Sequence, residues 1–189
     1  MIEGEPMFRG GNLSEYLQNE VAAIDERVRN LPSETFQTSD DGQIVAKLAT
    51  GVRLAELQVD FSNPRRASAP AQVRVHDTFS GMVTIDGLRA TKSFPFQGDE
   101  NLLYLRPSSW GGVPHARVEG RAIVITYEGR ADQEAVKREF AQHESHLKDN
   151  VNWVNQEIER HNEMLPRLLL EAVKRRRQNL ESVRNITDF

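Results

Sequence analysis

From residue 131 onward, apolar side chains recur every three to four positions, which is the spacing of one helix face. Val136, Phe140, Leu147, Val151, Val154, Ile158 and Leu165 fall on one stripe. From Leu147 the stripe has a heptad-like rhythm, and His161 fills the position between Ile158 and Leu165. A second stripe runs through Leu169, Val173, Leu180 and Val183, and Pro166 separates the two. Proline is tolerated in the first turn of a helix but costs about 3 kcal/mol inside one. Two forms satisfy this pattern: a hairpin turning near His161–Leu165, or a long helix kinked at Pro166. Asn162 is a poor helix former and argues for a break, although no glycine stands nearby. The expectation is two long helical segments with an abrupt change of direction.

The rest of the chain changes period twice. Leu13, Leu17, Val21, Ile24, Val28 and Leu31 step along one face and predict an amphipathic helix over 13–31. Asn12 is a suitable N-cap, Glu15 gives a capping-box pattern, and Pro32 ends the helix. Ser39-Asp40-Asp41-Gly42 reads as a turn, and Gln43–Thr50 as strand or loop, a short helix being the alternative. From residue 54 the period is two. Short strands are expected at Leu57–Phe61, Val73–Val75, Met82–Ile85 (closed by Asp86-Gly87), Leu102–Leu105 and Ala122–Tyr127. Ser93–Phe96 fits an edge strand because Pro95 cannot donate to a ladder, and the stretch 64–70 reads as a loop. The fold class expected is α+β: an N-terminal amphipathic helix, an antiparallel sheet of about five or six short strands, and the two helical segments. Domain 1–130 would hold the sheet, and 131–189 would be a coiled-coil-like helical segment, either separate or packed on the same core.

Composition excludes more than it selects. With no cysteine there are no disulfides, thiolate nucleophiles or cysteine metal sites, which fits a reducing, cytoplasmic setting. No apolar run approaches the length of a membrane span, and the N-terminus lacks the pattern of a secretory signal. The net charge of −4 is unevenly placed: 131–163 carries eight acidic and four basic side chains, 164–189 six basic and three acidic. A polyanion partner would therefore meet only the C-terminal end.

Four groups of residues are candidates for chemistry. His143 and His146, with Glu139 a turn earlier, have a spacing that can ligate a metal, but there is no HExxH and no third histidine in register. No metal and no cofactor is expected, and a metal-dependent hydrolase is kept only as an alternative. Lys174-Arg175-Arg176-Arg177, with Arg167, could contact nucleic acid, but four successive helical residues fan over about 300° and cannot share one groove. They fit equally a helix end whose cations favour the dipole and pair with acids. The loop Ser108-Ser109-Trp110-Gly111-Gly112, framed by Arg106 and His115, could contact a ligand or partner, and its glycines would let a backbone approach. It matches neither a dinucleotide fingerprint nor a Walker A loop. The paired acids Asp40-Asp41 and Asp99-Glu100 sit beside glycines, as turns do, and no GxSxG elbow occurs. The heptad-like seam needs a covering partner, either the same chain or another protomer.

The stretch Asn162-Glu163-Met164-Leu165-Pro166, with Ala172, Arg175-Arg176-Arg177 and Leu180, resembles the N-terminal modules of uncharacterised bacterial multidomain proteins. The turn Leu105-Arg106-Pro107-Ser108 is similar as well. In such proteins an α+β region with a long helical tail precedes a separate effector domain, sometimes TIR-like. The resemblance spans about the last 90 residues and implies a scaffold or sensor module in a defence or regulatory setting, with no catalytic residue to carry over. The expected function is therefore a non-enzymatic scaffold, sensor or oligomerisation module. It would act as a homo-oligomer or on another protein through Leu147, Val151, Val154, Ile158 and Leu165. The alternative partner is nucleic acid at Arg167, Lys174, Arg175 and Arg176.

Overall fold

The computed structural model describes residues 1–79, 81–109 and 111–187. In chain order the elements are β1 (Ile2–Glu3), β2 (Glu5–Pro6), β3 (Gly11–Asn12), α1 (Leu13–Arg29), α2 (Thr35–Thr38), α3 (Asp41–Val52), β4 (Gln58–Val59), β5 (Arg65–Asp77), β6 (Gly81–Gln97), a 3-10 turn (Glu100–Leu103), β7 (Leu105–Arg106), β8 (His115–Glu119), β9 (Ala122–Gly129) and α4 (Gln133–Thr187). The class is α+β with a mostly antiparallel sheet, as expected. Two compact units are formed: residues 1–12 with 56–155, and residues 13–55 with the chain from Gln156 onward. Both units draw on α4.

In the first unit, β6 pairs with β9 along 88–95 on one flank and with β5 along its first 13 residues on the other. β8 and β1 extend the far side of β9, and β2 lies outside β8. Gly4, at φ +133, lets the chain pass from β1 to β2 against the Ala116 backbone, where a Cβ would sit at 2.9 Å. Phe94, Ile123 and Ile125 are fully buried, so the two central strands anchor this core. α4 opens on Asp132, whose carboxylate accepts the N–H groups of Glu134 at 3.0 Å and Ala135 at 3.1 Å.

Four strand expectations are corrected here. Pro95 does not mark an edge, since β6 is paired on both flanks. Val59 pairs with Phe96 but Arg65 with Ser93, so residues 60–64 bulge opposite Phe94 and Pro95. The Pro95 carbonyl accepts the Asp60 N–H at 2.9 Å, which turns its missing N–H toward that bulge, where no ladder bond is lost. The bulge is closed by the Asp60 carboxylate, which accepts from Ser62 and Asn63. These bonds, the Ser62 hydroxyl first, hold its pKa below the usual range. Asp86-Gly87 does not end a strand. Gly87 lies where a Cβ would come within 2.4 Å of the Gly129 carbonyl and of Val73, so a close approach, not a turn, requires it. Residues from Arg65 onward are strand, not loop, because β6 offers a continuous ladder that overrides their composition. Leu102–Leu105 is chiefly 3-10 turn, capped by Asp99.

In the second unit, the apolar stripe of α1 (Ile24, Val28) packs with Phe36, Ile44 and Val52 and with Leu165, Leu169, Ala172 and Val173 of α4. The turn expected at 39–42 is the start of α3. Asp40 caps it, accepting the Gln43 N–H at 2.8 Å while the Gln43 side chain accepts the Asp40 N–H at 3.1 Å. Gly42 disguised that signal.

The two expected C-terminal helices are one, Gln133–Thr187, with Pro166 inside it. Asn162 does not break it. Its side chain accepts the Leu54 N–H at 3.0 Å and donates to the Leu54 carbonyl at 2.9 Å. Two turns earlier, Asn155 treats Leu57 the same way, at 2.8 Å for each bond. Burial of Leu165, Leu169 and Val173 supplies the stabilisation that offsets the proline.

Candidate functional site

The seam residues are interior. Leu147, Val154 and Ile158 are fully buried, Val151 is 6% exposed and Leu165 2%. They are covered within the single chain. Trp153 is half-buried beside the seam.

The glycine loop approaches α4 rather than open space. A Cβ on Gly111 would lie 2.4 Å from the Trp153 ring, and one on Gly112 2.1 Å from His146 Nε2. Asn150 donates to the Gly112 carbonyl at 2.9 Å and to the His146 carbonyl at 2.8 Å. The two glycines thus serve packing. Trp110 lies outside the described residues, and Arg106 is exposed on β7.

His115, His143 and His146 meet edge to face in a row, with ring centroids 5.6 and 6.0 Å apart. His143 Nδ1 accepts the His115 backbone N–H at 3.0 Å, so this nitrogen cannot take a proton while the bond stands. Burial first, then the neighbouring histidines, press the His143 pKa below 6.5, with Glu139 opposing. Among the described residues, no three His, Cys, Asp or Glu side chains converge to hold a metal. His143 and His146 thus sit in a row with His115, with Glu139 a turn before His143 on α4.

The basic run is largely committed. Arg177 bonds Asp41 at 2.7 Å, the Ser39 carbonyl at 2.9 Å and the Phe36 carbonyl, tying α4 to α2 and α3. Arg175 pairs with Asp25 at 2.6 Å, and Arg176 is half-buried. Arg167 and Lys174 are exposed but separated along the helix.

What the sequence reading missed is the length of β5, of which it marked only Val73–Val75. Among the described residues its one partner strand is β6, which leaves an unpaired edge along Arg65–Asp77. Residues 65–70 are all exposed, as is Arg74. The edge carries three arginines, Arg65, Arg66 and Arg74, and one acid, Asp77, at its end. Strand edges of this length present rows of unpaired N–H and C=O groups. A run of arginines flanking a proline was the available signal, and loop-like composition hid it.

Between β5, β6 and the first turns of α4 lies a cleft of about 460 Å³. Lys92 and Glu144 form an ion pair in it, each 15% exposed, and Lys148 donates to the same carboxylate at 2.8 Å. Burial raises the Glu144 pKa, but the bonds and charges of Lys148 and Lys92 outweigh it, so the net shift is downward. Lys92 also lies over the Phe94 ring at 5.4 Å. No helix among the described residues is long and apolar enough to cross a membrane. Comparison with known protein families, curated proteins and solved structures returns no match.

Proposed function

We propose that the chain is a non-enzymatic interaction module that captures an extended, acidic segment of a partner protein along β5. The observation that carries this is the unpaired, arginine-bearing edge Arg65–Asp77. Strand addition takes its affinity from main-chain hydrogen bonds and its selectivity from side chains that alternate across the added strand. Three arginines against one acid select a partner of opposite sign, and they oppose edge-to-edge pairing of two copies of this chain. The buried seam fits the same reading, because it leaves the helix as scaffold. A scaffold or sensor role within a larger, cytoplasmic bacterial assembly is the setting that agrees with the resemblance described above. Nucleic acid is a weaker reading, since Arg175 and Arg177 already pair within the chain.

The test is fluorescence anisotropy with a labelled peptide of alternating glutamate and valine, beside its lysine–valine counterpart. The glutamate peptide should bind in low salt, weaken as salt rises, and lose binding to the Arg65→Glu, Arg66→Glu, Arg74→Glu variant. Equal binding of both peptides, or none of the acidic one, would overturn the proposal.

A further inference from the structure

The cleft beside β5 has the size and chemistry of a small-ligand site. Its volume of about 460 Å³ falls in the range of about 300–1,000 Å³ common to ligand pockets. Its walls differ in kind. Ala90 of β6 and Val136, Phe140 and Ala141 of α4 give an apolar lining. Val136 and Phe140 are four apart on α4, and Glu144 follows at the same step, so one helix face supplies both the apolar wall and the carboxylate. Arg66, Lys92 and Lys137 also line the cleft; Lys137 is paired with Glu134 at 3.0 Å, which leaves Arg66 and Lys92 facing the single acid Glu144. Lys148, bonded to Glu144 at 2.8 Å, neutralises that acid without needing Lys92.

An ammonium carries three donors, and Glu144 takes one from Lys92. A second anion therefore finds both charge and donors there. A carboxylate lying against Lys92 would also escape much of the screening that weakens exposed pairs, because the Lys92 side chain is only 15% exposed. An uncharged apolar molecule would make no use of Arg66 or of the remaining Lys92 donors, and a cationic one would be repelled. We propose that the cleft binds a small carboxylate with an apolar body: the carboxylate on Lys92 and Arg66, the hydrocarbon between Ala90, Val136, Phe140 and Ala141. This shares Arg66 with the peptide reading but does not rest on it.

Isothermal titration with octanoate tests it, with acetate (the head alone) and octyltrimethylammonium (the same tail with opposite charge) as companions. Octanoate should saturate one site, at least about tenfold more tightly than either companion. Ala141→Trp fills the cleft from an exposed helix position that tolerates it, and should weaken octanoate at least about tenfold while thermal unfolding stays unchanged. Lys92→Met should weaken octanoate and narrow its advantage over the cationic analogue, with Lys148 still neutralising Glu144. Octanoate that fails to bind, binds the Ala141→Trp protein as well as the native one, or binds no better than the cation would overturn the assignment.

Discussion

Replacing Asn162 with alanine decides between a helix that breaks and one that runs on. In the structure Asn162 is 6% exposed and makes two hydrogen bonds to the Leu54 backbone, at 3.0 and 2.9 Å. Each is worth about 1 kcal/mol net, and each Leu54 group left without a partner adds about 1–3 kcal/mol where water cannot replace the amide. Alanine returns roughly 0.5 kcal/mol of helix propensity. Leu54 is half-buried, so water replaces part of the lost partners, and the balance is a loss of about 2–4 kcal/mol, or roughly 4–16 °C in Tm for a chain of this size. Were Asn162 a residue tolerated at a hairpin turn, alanine would be neutral or stabilising. Urea unfolding followed by circular dichroism at equal protein concentration reads the sign. A change within about 0.5 kcal/mol of zero, or a gain, would refute the bidentate role and with it the reason Asn162 sits inside a helix.

Three further outcomes follow from the same geometry. Arg177→Met should cost about 2–3 kcal/mol in urea, because it strands Asp41 and two backbone carbonyls; a neutral result would return the basic run to candidate status as a nucleic-acid surface. Gly112→Ala should destabilise by more than about 2 kcal/mol, since its Cβ would meet the His146 ring at 2.1 Å; native stability by thermal melt would contradict that packing. His143 and His161 both have pKa values pressed below 6.5, burial being the first cause in each and Glu20 opposing at His161. The unfolded chain then binds more protons than the folded one below that pH, so their contribution is fully present above about 6.5 and lost as pH falls. His143→Asn keeps an acceptor for the His115 amide, and His161→Leu removes a buried Nε2 that has no partner. The double variant should show a flatter stability profile between about pH 7 and 5; an unchanged slope would count against both sites.

The stripes of α1 and α4 were legible because each is long and keeps one period. Leu147, Val154 and Ile158 were marked as a surface needing cover, and the cover proved to be the chain itself. Local rules failed where a distant partner intervened. Pro166 and Asn162 read as a break because their compensation lies at Leu54 and in the packing of Leu165 and Leu169. Residues 64–70 read as a loop because proline, arginine and serine say nothing about a ladder that β6 supplies from more than 20 residues away in the register Arg65 to Ser93. Gly42 concealed a capping box, and Gly87 imitated a turn. The histidine cluster was half visible: the spacing of His143 and His146 on one helix could be seen, but not that His115 arrives from another element to bond His143. The cleft could not be read at all, because Lys92 and Glu144 are brought together only by the packing of α4 on the sheet.

The central claim is that β5 is an open edge, and residue-resolved amide exchange by NMR on the intact protein tests it most directly. In an antiparallel edge strand alternate N–H groups point away from the partner. The account predicts alternation along Arg65–Asp77, with slow exchange where an amide faces β6 and fast exchange where it faces outward, the fast set slowing when the glutamate–valine peptide is added. Uniform protection of β5 in the free protein would contradict it.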